Sequence, residues 1–405
     1  MIMAAGEKHV SDFSWLPSGV ELTPERRQIC EAVKALCDRF DDAYWLDLDN
    51  RHAFPHEFHA AMARDGWLGI TMPEQYGGAG LGVTEAALLM QTVANSAGAI
   101  AACSTFHINL FGPHPVLLYG TEEQKRRIIP PLVRGEDKVA FGVTEPDAGL
   151  DTTSITTRAV KDGNRYIVNG QKVWTTTAQQ ANKILLLTRT TPRERCAKRT
   201  DGLTLFYTDL DRRYVEVREI DKLGRAAVNS NATFYENLPV PEEDRIGAEG
   251  DGFRLLLDSL NPERILVAAE CVGVGRRALA KAAAYASERV VFGRPIGQNQ
   301  SIQHPLAQSW MALEAADLMV WKAASLYDSK QPCGAQANAA KFLAADAAFD
   351  ACDRAVRTHG GFGYAKEYHV ERYLREIMLP RIAPVSREMI MCFIAERVLG
   401  LPKSY

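Results

Sequence analysis

Residues 158–177 read Arg158-Ala159-Val160-Lys161-Asp162-Gly163-Asn164-Arg165-Tyr166-Ile167-Val168-Asn169-Gly170-Gln171-Lys172-Val173-Trp174-Thr175-Thr176-Thr177. The pattern has a period of two, and Asp162-Gly163 and Asn169-Gly170 are turn signals set between short β-rich runs. Further strands are predicted at Ile184–Thr188, Thr204–Tyr207, Val215–Arg218 and Thr233–Tyr235. The zone Val139–Pro241 is therefore expected to be an antiparallel sheet or small barrel. On both sides of it the pattern turns helical. Thr23-Pro24-Glu25 supplies an N-cap, a first-turn proline and a first-turn acid, and Ile29, Val33, Leu36 and Phe40 follow at helical spacing. Glu85–Ala97 resumes the helical pattern, and Thr121–Lys125 opens a last short helix before Gly135. After Gly252, alanine-rich stretches such as Arg277–Ala286 and Ala335–Ala355 favour helix again. The predicted fold class is α+β: an N-terminal helical domain (1–137), a middle β domain (138–250) and a C-terminal helical domain (251–405).

Composition bounds the function. The 405 residues are 46% hydrophobic and 24% charged, values of a soluble globular chain that exclude disorder and a small disulfide scaffold. With 47 Lys plus Arg against 50 Asp plus Glu, the net charge of −3 gives no electrostatic footprint for nucleic acid or an anionic membrane. No apolar run is long enough to span a bilayer, and Met1–Thr23 has the character of neither a signal nor a transit peptide. The eight cysteines are scattered without a C-x-x-C, which points to idle thiols in a reducing cytosol rather than zinc or disulfides. His52, His56 and His59 have helical ligand spacing, but Pro55 lies between the first two. A helix starting at Pro55 leaves His52 outside, so no metal site is assigned.

Five segments could carry chemistry, and each has a plain structural reading. Gly273-Val274-Gly275 resembles a dinucleotide fingerprint, yet the preceding Arg264–Glu270 is helical, so close helix packing explains it better. Phe141–Asp151 leaves a strand and enters a Pro/Gly loop whose backbone N–H groups and Thr144 hydroxyl could bind a polar planar ligand. Val173–Thr177 sets a tryptophan beside a run of hydroxyls, which suits a flat heterocycle such as a flavin. Arg289–Gln300 is a helix–helix connection in which Arg289 could meet a phosphate, and Phe292 and Gln300 a nucleotide. Arg357–Tyr364 ends a helix with three glycines in four positions, more than one C-cap needs.

Taken in order on an α–β–α frame, these segments resemble the acyl-CoA dehydrogenase family from about Leu22 to Gly400. Thr144-Glu145-Pro146-x-x-Gly149 and Trp174-x-Thr176 are the most specific marks. Arg289-x-x-Phe292-Gly293 with Gln300, and Gly360-Gly361-x-Gly363, support them. The resemblance implies a C-terminal four-helix bundle, and FAD lying extended between the last two domains and completed by a neighbouring subunit of a homodimer or homotetramer. It assigns Phe141, Val143, Thr144, Trp174 and Thr176 to the flavin. Arg289, Phe292 and Gln300 fall to the pyrophosphate and adenosine part, and Arg357, Gly360 and Gly361 to its distal end. Ser386 and Glu388 are also placed around the cofactor, and Leu150 and Arg264 at the substrate. The family more often has Gln where this chain has Arg357, and Ser where it has Leu150.

The implied reaction is α,β-dehydrogenation of an acyl-CoA to trans-2-enoyl-CoA, with electrons leaving to an electron-transfer flavoprotein, as in fatty-acid β-oxidation. It needs a carboxylate base and a donor to the thioester carbonyl. In most members the base is a late Glu in Glu-Gly-Thr. The matching stretch here is Ile382-Ala383-Pro384-Val385-Ser386-Arg387-Glu388, and Pro384 occupies the acid's place. A minority of members carry the base on an earlier helix in a Glu-Arg pair, matched here by Glu263-Arg264. The plain reading of Asn261-Pro262-Glu263 is a helix start: N-cap, N1 proline and first-turn acid. Pro384 has no N–H to donate, which leaves open other flavin chemistry (oxidase, monooxygenase or desulfinase) and a flavin- or CoA-binding protein without turnover.

Overall fold

The computed structural model describes residues 16, 17 and 19–404; the reading of Met1–Thr23 as leaderless falls largely outside that range. The helices that open the chain are α1 (Pro24–Cys37), α2 (Asp42–Arg51), α3 (His56–Arg64), α4 (Val83–Ala94), α5 (Ala99–Ser104), α6 (His107–Phe111), α7 (His114–Tyr119) and α8 (Glu122–Val133). Strands β1 (Val139–Gly142), β2 (Arg158–Asp162), β3 (Arg165–Thr176), β4 (Lys183–Arg189), β5 (Leu203–Asp209), β6 (Val215–Glu219), β7 (Ser230–Pro241) and β8 (Arg245–Ile246) follow. The remainder is α9 (Gly252–Glu288), β9 (Val290–Val291), β10 (Arg294–Pro295), α10 (Gln300–Asp328), α11 (Gly334–His359), α12 (Val370–Ile377) and α13 (Arg387–Arg397). The helix–sheet–helix order expected from the sequence is the observed one. The chain divides into two compact units: Leu48–Gly82 with Ser104–Glu263, and the segments up to Asp47, Val83–Cys103 and from Arg264 onward.

The first unit carries the sheet, ordered β6-β7-β3-β2-β4-β5-β8 with β1 beside β4. It is open rather than closed, and it is antiparallel except where β1 runs parallel to β4 and β2 meets β4 at Arg158↔Arg189. Asp162-Gly163 makes the expected hairpin turn, with Asp162 paired to Arg165 and Gly163 at φ +62°. The turn expected at Asn169-Gly170 is corrected: β3 runs straight through it, and the register shift against β7 marks a bulge. Across the bulge, Asn169 Oδ1 accepts the Asn237 N–H at 2.9 Å. Gly170 is at φ +151°, and a Cβ there would lie 2.6 Å from Thr157 Cα, so the extra residue lets two strands approach closely.

The central strands β4 and β5 are buried on both faces, while β2 and β6 are largely exposed. Leu185, Leu187, Leu205 and Tyr207 pack with Met72, Phe111, Ile128, Ile129 and Leu132. Ile184, Leu186 and Phe206 pack on the other side with Tyr166, Val168, Val215, Tyr235 and Val240. Each fully buried aliphatic side chain contributes about 1.5–3 kcal/mol. A capping box starts α8, in which Thr121 and Gln124 satisfy each other's backbone N–H groups.

The second unit is helical. Thr23 Oγ1 accepts the Arg26 N–H, with Pro24 next to it, and α1 so capped packs on α4, which is buried except at Glu85. Gly273 and Gly275 lie inside α9 with no strand before them, which removes the dinucleotide reading. A Cβ on Gly273 would sit 2.4 Å from the Gln91 carbonyl oxygen, and one on Gly275 2.5 Å from Leu313 Cδ2 and 3.1 Å from Ala348 Cα. Both glycines exist so that α4, α10 and α11 can close on α9. Buried polar groups lock the same helices: Arg276 donates to Glu314 (2.6 Å) and Asp317 (2.9 Å), and Asp317 accepts from Gln91 (2.7 Å). The chain's cysteines are all free thiols. Among the described residues no helix is long and apolar enough to cross a membrane, and no cluster of His, Cys, Asp and Glu is arranged to hold a metal ion.

Candidate active site

In the sheet-bearing unit, the segment leaving β1 is tied to β3 by one buried ion pair. The Glu145 carboxylate accepts the Lys172 ammonium at 2.9 Å, the N–H groups of Thr156 (2.6 Å) and Thr157 (2.9 Å), and the Thr156 hydroxyl (2.9 Å). Lys172 also donates to the Val143 carbonyl at 2.9 Å, and Val173 N–H to the Thr144 carbonyl at 2.9 Å. Burial pushes the Lys172 ammonium down to about 8 against the pull of Glu145. The Glu145 carboxyl is held below its ordinary value: burial acts to raise it, but Lys172 and the Thr156 and Thr157 donors outweigh that. Phe141 lies edge-on to Phe111, and the Val143 side chain is core. Thr144 is half-buried at the head of the loop Pro146–Leu150, which is exposed except at Ala148. Leu150 is 63% exposed.

Beside this strap, Trp174 stands 57% exposed with φ +59°, and Thr177 has φ +59° as well. A left-handed backbone at a bulky residue costs on the order of 1–3 kcal/mol and persists where surrounding contacts enforce it. The second register shift of β3, between Lys172 and Thr175, is what re-aims the indole. Half-buried Thr176 follows it, paired to Ser230.

Glu263 belongs to the same unit and is 7% exposed. Its expected place in a helix first turn is corrected: α9 begins at Gly252, and Pro262 lies inside it. Asn261 is therefore no N-cap, and the dipole of a helix start does not act on Glu263. The earlier start follows from Leu255 and Leu256, which enter the apolar core and extend the helix upstream of the Asn-Pro signal.

In the helical unit, Pro384 is exposed, and Ser386 caps α13 by accepting the Met389 N–H. Glu388 is exposed in the first turn of α13, its carboxyl lowered by its own backbone N–H and by Ser386. Lys341, fully buried, donates to the Val385 carbonyl at 2.6 Å, and Asp346 pairs with Arg381 (3.2 Å) and Arg387 (2.8 Å), which fixes this turn on α11. Gly360, at φ +61°, ends α11, and Gly363 has no room for a Cβ, which would meet the Val356 carbonyl at 2.2 Å. Gly361 meets nothing within 4 Å, so its backbone faces open space. Arg289 stands 5.8 Å over the Phe362 ring, which brings the segments Arg289–Gln300 and Arg357–Tyr364 together. Arg357 is exposed and pairs with Asp353. Phe292 is fully exposed beyond β9, Gln300 is the exposed first residue of α10, and Arg264 is half-buried.

In the sheet-bearing unit, the exposed Trp174 indole and the Thr144 and Thr176 hydroxyls have the chemistry that a flat ring with polar edges needs. In the helical unit, taken by itself, Arg289 and the Gly360-Gly361 backbone have the cation and the approachable backbone that a phosphate group needs. Sequence reading missed Lys172 and Glu145 as the tie behind the ring wall. Strict alternation from Tyr166 and Val168 places Lys172 on the inward face, a signal that a lysine there must be paired.

Three family models match: acyl-CoA dehydrogenase N-terminal (23–136), middle (140–238) and C-terminal (250–399) domains. The chain is 37% identical over 394 residues to acyl-CoA dehydrogenase FadE12 of Mycobacterium tuberculosis, covering 94% of this chain and 97% of that one. Its fold is similar to that of glutaryl-coenzyme A dehydrogenase in complex with glutaryl-CoA (TM-score 0.90, 30% identity, 96% and 98% coverage). It is also similar to the prolyl acyl carrier protein oxidase AnaB (TM-score 0.87, 27% identity, 94% and 100% coverage).

Proposed function

Since this chain belongs to the acyl-CoA dehydrogenase family, a family of FAD-dependent oxidoreductases, we propose that it converts a saturated acyl-CoA to the trans-2-enoyl-CoA with Glu263 as base. One observation carries this reading. Of the two carboxylates weighed for the role, Glu263 is withdrawn from water while Glu388 is solvated in a helix first turn. A base removing a weakly acidic α-proton must be excluded from bulk solvent and held at a fixed place. The interior of a long helix gives Glu263 both. FAD would supply the hydride acceptor when bound. Trp174 would cover the ring, Thr144 and Thr176 would bond its edge, and the Glu145–Lys172 tie would hold that wall in register. Arg289, Phe292 and Gln300 would hold the pyrophosphate and adenosine across a homodimer interface, with Arg357 and the Gly360-Gly361 backbone at the distal end. Ser386 and Glu388 shape the turn near the cofactor. Leu150 and Arg264 border the substrate.

In this reading the enzyme acts in cytoplasmic fatty-acid oxidation as a homodimer or homotetramer and passes electrons to an electron-transfer flavoprotein. Anaerobic titration with acyl-CoAs of varied length and branching tests it. Flavin bleaching with one equivalent of trans-2-enoyl-CoA is expected, and reoxidation by electron-transfer flavoprotein should outpace that by oxygen. Pro384, which has no N–H for the thioester carbonyl, favours one competing reading, an oxidase or related flavin chemistry. Rapid oxygen uptake with stoichiometric peroxide would select that reading instead.

A further inference from the structure

Between α11 and α12 the chain makes a mostly exposed arc of short turns, residues 360–368. The arc is pinned at two places. Gly363 is buried against Val356, and His369 closes the arc by turning into α12 with a backbone φ of +64°. His369 is 8% exposed, and its Nδ1 is buried with no hydrogen-bond partner among the described residues. Both features are costly for a histidine, so the surrounding packing imposes them.

The imidazole sits in a knot of charge inside the helical unit. Asp42 of α2 accepts from Lys281 (2.7 Å) and Arg277 (3.3 Å) of α9 and from the Tyr373 hydroxyl (3.4 Å) of α12. Buried Arg372 of α12 donates to Glu376 (3.1 Å) and to the carbonyls of Ala97 and Gly98. His359 of α11 sets its Nδ1 against the Ala355 carbonyl at 2.8 Å and stacks on Tyr285 of α9, and Tyr368 stands edge-on to both rings. The arc's own Lys366 and Glu367 are exposed. Around His369, the cations Arg277, Lys281 and Arg372 thus face the anions Asp42 and Glu376.

We propose that His369 is a proton-operated latch on the arc 360–368: neutral, it lets the arc close on the helices, and charged, it opens the arc. A proton there adds a fourth cation to a knot whose two carboxylates are already engaged, Glu376 also by the Ala101 N–H at 3.1 Å. Burial, with Lys281, Arg372 and Arg277, holds the imidazole below its ordinary 6.5 against the pull of Asp42. The opened chain therefore binds the proton more tightly, and the closed form loses stability as pH falls from 6.5 toward the depressed value. The exposed arc yields before the helices beside it, because less buried surface holds it. Its Gly360-Gly361 backbone is what the proposed function sets against FAD. Any link to cofactor retention rests on that reading, and the latch does not.

Hydrogen exchange of the holoenzyme, followed by mass spectrometry and expressed as protection, tests this from about pH 7.5 to 5. Below 6.5, peptides spanning 360–377 should lose protection by up to about tenfold per pH unit, the limit for one proton, while α10 keeps its own. His369→Asn accepts a left-handed backbone and cannot titrate, so it should abolish the slope. Lys281→Gln removes one repelling cation and leaves Asp42 to the imidazole, so it should flatten the slope and decides the matter even where the asparagine variant fails to fold. A flat wild-type profile, or a wild-type slope in either variant, overturns the latch. Excess FAD separates the latch from the cofactor reading. Suppressed opening supports an arc that holds the cofactor, whereas a slope indifferent to FAD removes Gly360-Gly361 from the cofactor site and leaves the latch standing.

Discussion

Lys172→Met tests whether the buried strap carries the flavin wall. The substitution keeps the stem and removes a fully buried ammonium that donates to Glu145 and to the Val143 carbonyl, both at 2.9 Å. Removing one partner of a buried pair costs about 3–5 kcal/mol, because the other charge stays uncompensated. Glu145 keeps three donors from Thr156 and Thr157, so Lys172→Met should fall at the low end, about 3 kcal/mol. Glu145→Gln leaves the buried ammonium without a counter-charge and turns an amide NH2 toward donors that the carboxylate had accepted, so it should cost more, up to the roughly 5 kcal/mol needed to neutralise an ordinary lysine at pH 7. Replacing both residues removes both charges, so the double variant should be more stable than Glu145→Gln alone. The assay is a double-mutant cycle read by FAD affinity and by the temperature of flavin release. Wild-type affinity and melting in Lys172→Met, or strictly additive losses in the cycle, would refute the role given to the strap.

Three further outcomes are expected. Burial lowers the His59 pKa to about 4 from 6.5, so the unfolded chain binds more protons between those values and stability falls as pH drops through that window; about 2 kcal/mol should be lost from pH 7 to pH 5, and denaturant melts of His59→Asn should lack that share. Gly273→Ala should lower the melting temperature despite alanine's better helix propensity, since its Cβ would meet the Gln91 carbonyl oxygen at 2.4 Å; overpacking of this kind costs about 1–3 kcal/mol. Trp174→Ala keeps the Cβ and so the strain of the left-handed backbone, and it should weaken FAD and change its absorption spectrum as water reaches the ring; a spectrum identical to wild type would remove Trp174 from the cofactor wall.

Much of this was legible because local chemistry and tertiary demand agreed. Thr23-Pro24 and Thr121–Gln124 cap helices as their side chains dictate, and β4 and β5 read as strands from their apolar runs. Where the two conflict, tertiary contacts win. Asn169-Gly170 has the chemistry of a turn, but β7 lies alongside with Asn237 ready to bond Asn169, so the same dipeptide becomes a bulge. Asn261-Pro262-Glu263 has the chemistry of a helix start, but burying Leu255 and Leu256 extends α9 back to Gly252. At the candidate site, Trp174 and the Gly360-Gly361 pair stood out because their residue types fit poorly into packing. Val143 did not, since its side chain is core and only its carbonyl serves the strap. The ion pair behind that strap joins residues 27 apart in sequence, and no local pattern couples them.

The most direct measurement is anaerobic stopped-flow mixing of Glu263→Gln holoenzyme with an acyl-CoA that bleaches the wild type. With Glu263 as base, the variant should keep its yellow cofactor and show no flavin reduction on the wild-type timescale, a loss of several orders of magnitude. Reduction at the wild-type rate would contradict that assignment and move the proton acceptor to another residue.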